Sequence, residues 1–320
     1  VWTPAEGMVT LGTLAGSSST AQWANDNGQV AGISDAAGGS VHAVLWTYVD
    51  SLEAEGDFNG DGVADLLRRD PSGALDLWLM NGTQVVGGGR VATVDPAWDI
   101  VATGDYNADG RSDLLWRHAS GSVTTWLMNG TQIIGSGLFT TVDRVWQIVA
   151  SGDYNGDGRS EVLWRHASGA LAMWSMNGIQ FLGAVPFTTV DPAWRLIGSE
   201  DANGDGRSDL LWRHTSGALV IWFMDGVNVI GGGLVATVDP AWHLVGAGDY
   251  NGDHRSDLLW RHPSGTVTVW LMNGLQVIGG GLIDTVNQGS QIVAWGDYNA
   301  DGRDDIVWRQ SPAGPTTLWL

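Results

Sequence analysis

The chain has 320 residues, no cysteine and a formal charge of −20, from 15 basic and 35 acidic residues. The missing cysteine excludes disulfides, thiol chemistry and cysteine-ligated zinc. The acidity repels phosphate backbones and so argues against a nucleic-acid partner, and no run of eighteen apolar residues is present to span a membrane.

Nineteen tryptophans against five phenylalanines and five tyrosines, with 47 glycines, suit a turn-rich all-β protein. At the N-terminus, VWTPAEGMVT carries neither a basic region nor an apolar core, so a signal peptide, if one existed, has been removed from this numbering. Residues 8–14 read as one strand, and residues 20–26, 28–34 and 41–47 as three more around the turn Asn27-Gly28. From residue 51 a 48-residue unit takes over. In one copy, Asp99–Gly104 is a short apolar strand that runs into an acidic loop, and Leu114–His118 leaves the loop as a second strand. Ser120-Gly121 turns the chain into a third strand, Val123–Met128. Asn129-Gly130, both tolerant of positive φ, makes the next hairpin. Thr131–Ile134 begins a fourth strand, which Gly135-Ser136-Gly137 loosens into a connection. Four antiparallel strands in a unit of roughly 40–50 residues predict a propeller blade.

The last copy stops at Thr317–Leu320, where a third strand would end. Residues 8–14 could supply its missing strand and close the ring, which removes exposed edges. The expectation is therefore one domain over 1–320, an all-β propeller of seven four-stranded blades closed by its N- and C-terminal strands. Six blades with residues 1–50 as a capping arm is the alternative.

The acidic loop occurs six times without drift, beginning at Asp57, Asp105, Asp153, Asp201, Asp249 and Asp297. Loop positions 1, 3, 5 and 9 always carry a side-chain oxygen, and Ca²⁺ takes six to eight oxygens. The candidate ligands of the first loop are Asp57, Asn59, Asp61 and Asp65 with the carbonyl of Val63. Those of the second are Asp105, Asn107, Asp109 and Asp113 with the carbonyl of Arg111. The third offers Asp153, Asn155, Asp157 and Glu161 with Arg159, and the fourth Asp201, Asn203, Asp205 and Asp209 with Arg207. The fifth offers Asp249, Asn251, Asp253 and Asp257 with Arg255, and the sixth Asp297, Asn299, Asp301 and Asp305 with Arg303. Up to six Ca²⁺ are expected, and six would bring the formal charge from −20 to −8. The competing reading is a plain Asp/Asn/Gly turn. His254 replaces the glycine at position 6 and makes the fifth loop the expected weak or distorted site.

The DxNxDGxxD loops, followed by LLWRH and WLMNG, resemble the FG-GAP or VCBS repeat of integrin-like propellers over residues 52–320. Residues 11–46 resemble the bacterial extracellular HAF repeat, through Leu11-Gly12-Thr13-Leu14, Asn27-Gly28-Gln29-Val30-Ala31-Gly32 and His42-Ala43-Val44-Leu45-Trp46. The resemblance implies calcium in the loops, a secreted bacterial protein, and kinship with accessory domains and propeller lectins.

Each copy also repeats Trp-Arg-His after the loop and a tryptophan before the hairpin. The candidate ligand-binding residues are Trp116, Arg117, His118 and Trp126, then Arg165, His166 and Trp174. Arg213, His214 and Trp222, and Arg261, His262 and Trp270, continue the set. Indole faces suit sugar rings, and Arg and His donate to hydroxyls. The alternative is structural: buried tryptophans pack the blades, each covering roughly 150–250 Å², while each Arg pairs with a repeated Asp such as Asp95, Asp143, Asp191 or Asp239.

No nucleophile elbow, zinc-protease motif or phosphate loop is present. The chain reads as a non-enzymatic, monomeric binding module. Carbohydrate or glycoconjugate is the expected partner. The alternatives are a protein-interaction propeller and an enzyme, a lyase or hydrolase, working at the central channel.

Overall fold

The computed structural model describes residues 2–3, 7–8, 15–24, 29–36, 41–47, 51–70, 72–287, 290–309 and 316–320. From Ser51 onward the chain forms six antiparallel sheets arranged as the blades of a propeller. Their innermost strands are Ser51–Gly56, Trp98–Gly104, Trp146–Gly152, Trp194–Glu200, His243–Gly248 and Gln291–Gly296. Blades one to five have four strands each, in chain order, and blade six has three among the described residues. Each inner strand lies beside those of its two neighbours, and that of blade six lies beside that of blade one.

The repeat explains each strand boundary. In blade two the strands are Trp98–Gly104, Asp113–His118, Ser122–Asn129 and Gln132–Thr141. The last hairpin pairs Asn129 with Gln132, so its central residues are Gly130 and Thr131. Only the glycine has positive φ, 55°, the pattern of a II′ turn with glycine first. The turn sits one residue later than the Asn-Gly reading predicts. The fourth strand also runs on through Gly135-Ser136-Gly137 to Thr141, where the sequence suggests a loosened connection. Two bulges, between Val123 and Thr124 and between Leu127 and Met128, absorb the irregularity.

One hydrogen bond joins every pair of blades. The backbone N–H at loop position 8 donates to the carbonyl of position 1 in the preceding loop. Ser112 donates to Asp57, Ser160 to Asp105, Ser208 to Asp153, Ser256 to Asp201 and Asp304 to Asp249, at 2.7–2.8 Å. The sixth bond runs from Ala64 to Asp297 at 2.8 Å and closes the ring. A second bond repeats beside it: Gly130 N–H donates to Phe58 and Gly178 N–H to Tyr106, and at the closure Gly82 N–H donates to Tyr298.

The ring therefore has six blades, not seven, and blade six meets blade one directly. Loop six reaches loop one with the bond used everywhere else, so no place is left for a seventh blade. The three strands foreseen in the first fifty residues exist, as Ala15–Ala24, Gln29–Ala36 and Val41–Thr47, but they form a sheet of their own. Met8, at the start of the expected closing strand, pairs with Trp2. Residues 9–14 and the turn Asn27-Gly28 lie outside the described residues. Thr316–Trp319 pairs with Asp305–Arg309.

The core lies between blades. Leu67, Leu75 and Leu77 of blade one pack with Leu114, Trp116 and Met128 of blade two, all buried. Trp164, Trp212 and Trp260 are buried in the same way. At the closure the corresponding residue is Arg68, which stacks 4.0 Å from the Trp78 ring, and Val63, Leu66, Met80, Ala294, Tyr298 and Val307 fill the interface.

The close approach of the loops requires a residue without Cβ just before loop position 1. A Cβ on Gly152 would lie 2.4 Å from Ser208 Oγ. Gly152→Ala should therefore cost about 1–3 kcal/mol in denaturant unfolding, as overpacking does. Gly183, where a Cβ meets nothing within 4 Å, should tolerate alanine within about 0.5 kcal/mol. Equal costs for the two variants would refute the packing argument.

Candidate functional site

Each loop is a strand-to-strand connection organised by its first aspartate. Asp57 Oδ1 accepts the N–H groups of Asn59, Gly60 and Asp61 at 2.6–3.2 Å, and Oδ2 accepts that of Gly62 at 2.7 Å. Asn59 Oδ1 accepts the Asp61 N–H, and its amide donates to Asp61 Oδ2 at 2.9 Å. Asp61 Oδ1 accepts the Val63 N–H. The second loop repeats these bonds through Asp105, Asn107, Asp109 and Arg111. The third does so through Asp153, Asn155, Asp157 and Arg159, except that the Asn155 amide donates to Glu161 Oε1 at 2.7 Å. The fourth loop (Asp201, Asn203, Asp205, Arg207) and the sixth (Asp297, Asn299, Asp301, Arg303) follow the first. His254 does not distort the fifth loop. With φ of 62° it donates its N–H to Asp249 Oδ2 at 2.7 Å, as Gly110 does to Asp105, and Arg255 still donates to Asp253.

Position 9 faces inward. Asp113 is buried; its Oδ2 accepts the Tyr106 N–H at 3.1 Å and its Oδ1 the Met128 N–H at 2.9 Å. Asp65, Asp209 and Asp257 do the same with Met80, Met224 and Met272. Burial, with two like charges nearby, pushes Asp65, Asp113, Glu161 and Asp209 up to about 7. The same causes push Asp257 and Asp305 to about 6.

Among the described residues no three acid or histidine side chains are gathered as a ready-made metal site. The donor set nevertheless fits a hard cation in kind: three carboxylates, an amide oxygen and a backbone carbonyl in nine residues. The position-9 carboxylate is raised by burial first and by its neighbours' charge second.

The Trp-Arg-His run divides by role. Trp116, Trp164, Trp212 and Trp260 are 1 % exposed, and their indole N–H groups have no partner within the protein. Arg117 crosses to the next blade's connection and donates to the Trp146 carbonyl at 2.7 Å and to those of Val142 and Asp143, with its guanidinium 5.2 Å from the Trp164 ring. Arg165 grips Trp194, Val190 and Asp191 in the same way, and Arg213 grips Trp242, Val238 and Asp239. Arg261 donates to the Asn287 carbonyl. The expected Arg–Asp ion pair is thus replaced by a clamp on carbonyls. The carboxylates of Asp95, Asp143, Asp191 and Asp239 instead accept the N–H two residues on. His118 Nδ1 accepts the Ser120 N–H at 3.0 Å, which leaves the ring proton on Nε2, and the ring tilts against Trp98 at 5.0 Å. His166, His214 and His262 repeat this cap.

The second tryptophan of each blade reaches the same interface. Trp126, Trp174, Trp222 and Trp270 lie 4.5–5.3 Å, centre to centre, from Trp116, Trp164, Trp212 and Trp260. Between blades three and four, Thr189, Val190, Asp191, Trp194, Trp212, Val220 and Trp222 enclose a pocket of about 280 Å³. Trp194 is absent from the sequence-based candidates, although the Asp-Pro-Ala-Trp segment repeats visibly. The orphaned indole donors and the Tyr106–Ser151 hydroxyl pair at 3.0 Å have no sequence signal, because they depend on how neighbouring blades meet.

The sequence profile of the FG-GAP-like repeat matches residues 57–116, 105–164, 153–212 and 249–308, more than half of the chain. No curated protein matches it. Among solved structures, the chain is similar to the C-terminal WD40 domain of Sif2 at 9 % identity, with a TM-score of 0.47 over 91 % of this chain and 89 % of that one. It is similar to BBS1N in its complex with ARL6DN at 10 % identity and a TM-score of 0.47, over 97 % and 92 % of the two chains. The computationally designed Ika8 protein matches at 12 % identity and 0.40, over 93 % and 82 %.

Without a cation, the raised position-9 groups set a pH dependence of stability. Their stabilising contribution is whole below the unfolded values of 3.8 for Asp and 4.5 for Glu, and is lost as pH rises through about 6–7. In chelator, the melting temperature should fall between about pH 5 and about pH 8. A melting temperature that rises over this range would contradict the burial of these carboxylates.

Proposed function

The chain belongs to the FG-GAP-like repeat family, and on that premise we propose that it is a calcium-stabilised, secreted module that binds carbohydrate in the grooves between its blades. A propeller of such repeats is a binding fold, and the grooves carry the finer reading. The observation that supports it most is the groove between blades three and four. Three tryptophans and Asp191 surround a pocket of about 280 Å³ there, and the buried Trp212 N–H lacks a protein acceptor. A buried donor without a partner is costly. A hydroxyl-rich ligand supplies acceptors, and indole faces suit its C–H surfaces. The same residues recur as Trp146, Trp164, Trp174 and Asp143, and as Trp242, Trp260, Trp270 and Asp239. Several weak sites would combine through avidity. The roles of Arg165 and His166 here are to hold the groove's backbone and turn in place.

In this reading, the side chains at loop positions 1, 3, 5 and 9 and the position-7 carbonyl hold Ca²⁺. The ion supplies positive charge against three carboxylates. An extracellular setting, rich in free Ca²⁺, suits open loops of this kind.

One observation favours protein interaction as the second reading. The outer strands expose a belt of aliphatic side chains, with Val86 60 %, Leu138 69 %, Leu182 61 %, Leu234 61 % and Leu282 66 % exposed. Apolar surface of this extent marks interaction sites.

Two measurements test the proposal. Metal analysis should find up to six Ca²⁺ per chain, one for each loop, and chelation should lower the melting temperature at neutral pH. Zinc in place of calcium, or no metal at all, would sink this part. On a glycan array the calcium-loaded protein should show one sugar class, and Trp222→Ala should remove one binding equivalent while the others persist. A blank array transfers the assignment to protein interaction.

A further inference from the structure

Away from the ring closure, the repeat is broken most beside the axis, between blades four and five. The inner strands of blades two to six line a channel cavity of about 440 Å³. Among its described lining residues nearly all are aliphatic or small; Glu200 is the one ionisable residue and Trp295 the one aromatic. Both break the repeat. Glu200 stands where the other five blades have glycine: Gly56, Gly104, Gly152, Gly248 and Gly296. That glycine is sterically required elsewhere, since a Cβ on Gly56, Gly104 or Gly152 would come within 2.3–2.5 Å of the next loop's serine Oγ. Trp295 stands where blades two, three and four have Thr103, Ser151 and Ser199.

Two further departures make room for Glu200. In neighbouring interfaces a loop tyrosine fills the gap beside the channel and meets a hydroxyl of the next blade. Tyr106 meets Ser151 at 3.0 Å, and Tyr154 meets Ser199 at 2.6 Å. Between blades four and five both partners are alanine, Ala202 and Ala247, and a recess of about 20 Å³ opens with Glu200 and the position-9 carboxylate of Asp209 in its wall. Glu200 itself is exposed. Three coordinated substitutions thus place Glu200 among described channel-lining residues that are otherwise uncharged and mostly aliphatic, in a cavity that also presents an indole.

We propose that this channel binds a small organic cation, a primary ammonium on a short aliphatic body. Glu200 accepts the ammonium's hydrogen bonds and balances its charge. Trp295 offers an aromatic face to the cation or to its methylenes, and the aliphatic walls cover the rest. No Lys or Arg is among the described lining residues to attract an anionic ligand. The site shares no residue with the groove between blades three and four, so it stands independently of the carbohydrate reading.

The test is calorimetric titration of pentylamine into the calcium-saturated protein, with 1-pentanol as the uncharged analogue of equal length. Pentylamine should bind one per chain and pentanol should not. Glu200→Gly restores the residue of the other blades and so should fold, and it should weaken pentylamine at least about tenfold. Glu200→Gln, which keeps the shape, should lose as much, and Trp295→Ser should weaken binding as well. No heat up to about 10 mM pentylamine, equal binding of pentanol, or unchanged binding in Glu200→Gly would each overturn the proposal. The last result would assign the amine to the acidic loops.

Discussion

A single backbone hydrogen bond, repeated around the ring, governs the rest of this molecule. The position-8 N–H of one loop meets the position-1 carbonyl of the loop before it, and the sixth such bond joins Ala64 to Asp297. Because the bond is short, adjacent inner strands approach closely, and only glycine fits just before the loop in five blades. Because position 1 must present its carbonyl outward, its carboxylate is free to turn inward and collect the loop's N–H groups. Position 9 then anchors the loop to the blade's third strand through the methionine N–H. The acidic loop is therefore a structural joint as well as a candidate cation site, which is why its spacing is held so strictly.

That double role explains which features are legible in the sequence. The 48-residue period, the loops, the hairpin glycines and the buried tryptophans all follow from local patterns, and each is where the repeat places it. Blade number is not local. The sequence suggests strands at 20–26, 28–34 and 41–47 but not whether loop six can reach loop one without them, and the ring closes when the sixth equivalent joint completes a turn. The Arg clamp was legible as a repeated cation but not in its partner. A carboxylate two residues into the connection is the obvious electrostatic choice, yet Asp143 is engaged by the Val145 N–H, and Arg117 reaches three carbonyls instead. Carbonyls that converge on one point offer a planar guanidinium more donor–acceptor matches than one occupied carboxylate.

The loops and the grooves meet different physical demands. In the loops, most side-chain oxygens already accept N–H groups, yet burial and mutual repulsion leave the position-9 carboxylate raised to about 7 in four copies. That cost comes from burial first and charge repulsion second, and on the proposed reading a cation offsets it. In the grooves the imbalance is the reverse: indole N–H donors are buried without acceptors. A neutral ligand rich in oxygen relieves that one. The proposed cation and the proposed oxygen-rich ligand thus answer two different imbalances.

Departures from the repeat carry information that the repeat itself cannot. Arg68 replaces the buried tryptophan only where the ring closes, and there the stack on Trp78 substitutes for an indole pair. The Glu200, Ala202 and Ala247 set differs in kind. Closure does not require it, since blades four and five are joined by the ordinary bond from Ser256 to Asp201. It places a charge where its neighbours have none and removes the aromatic plug that would exclude it. A change that is unnecessary for assembly, costs packing, and concentrates polarity in a cavity is best accounted for by what enters that cavity.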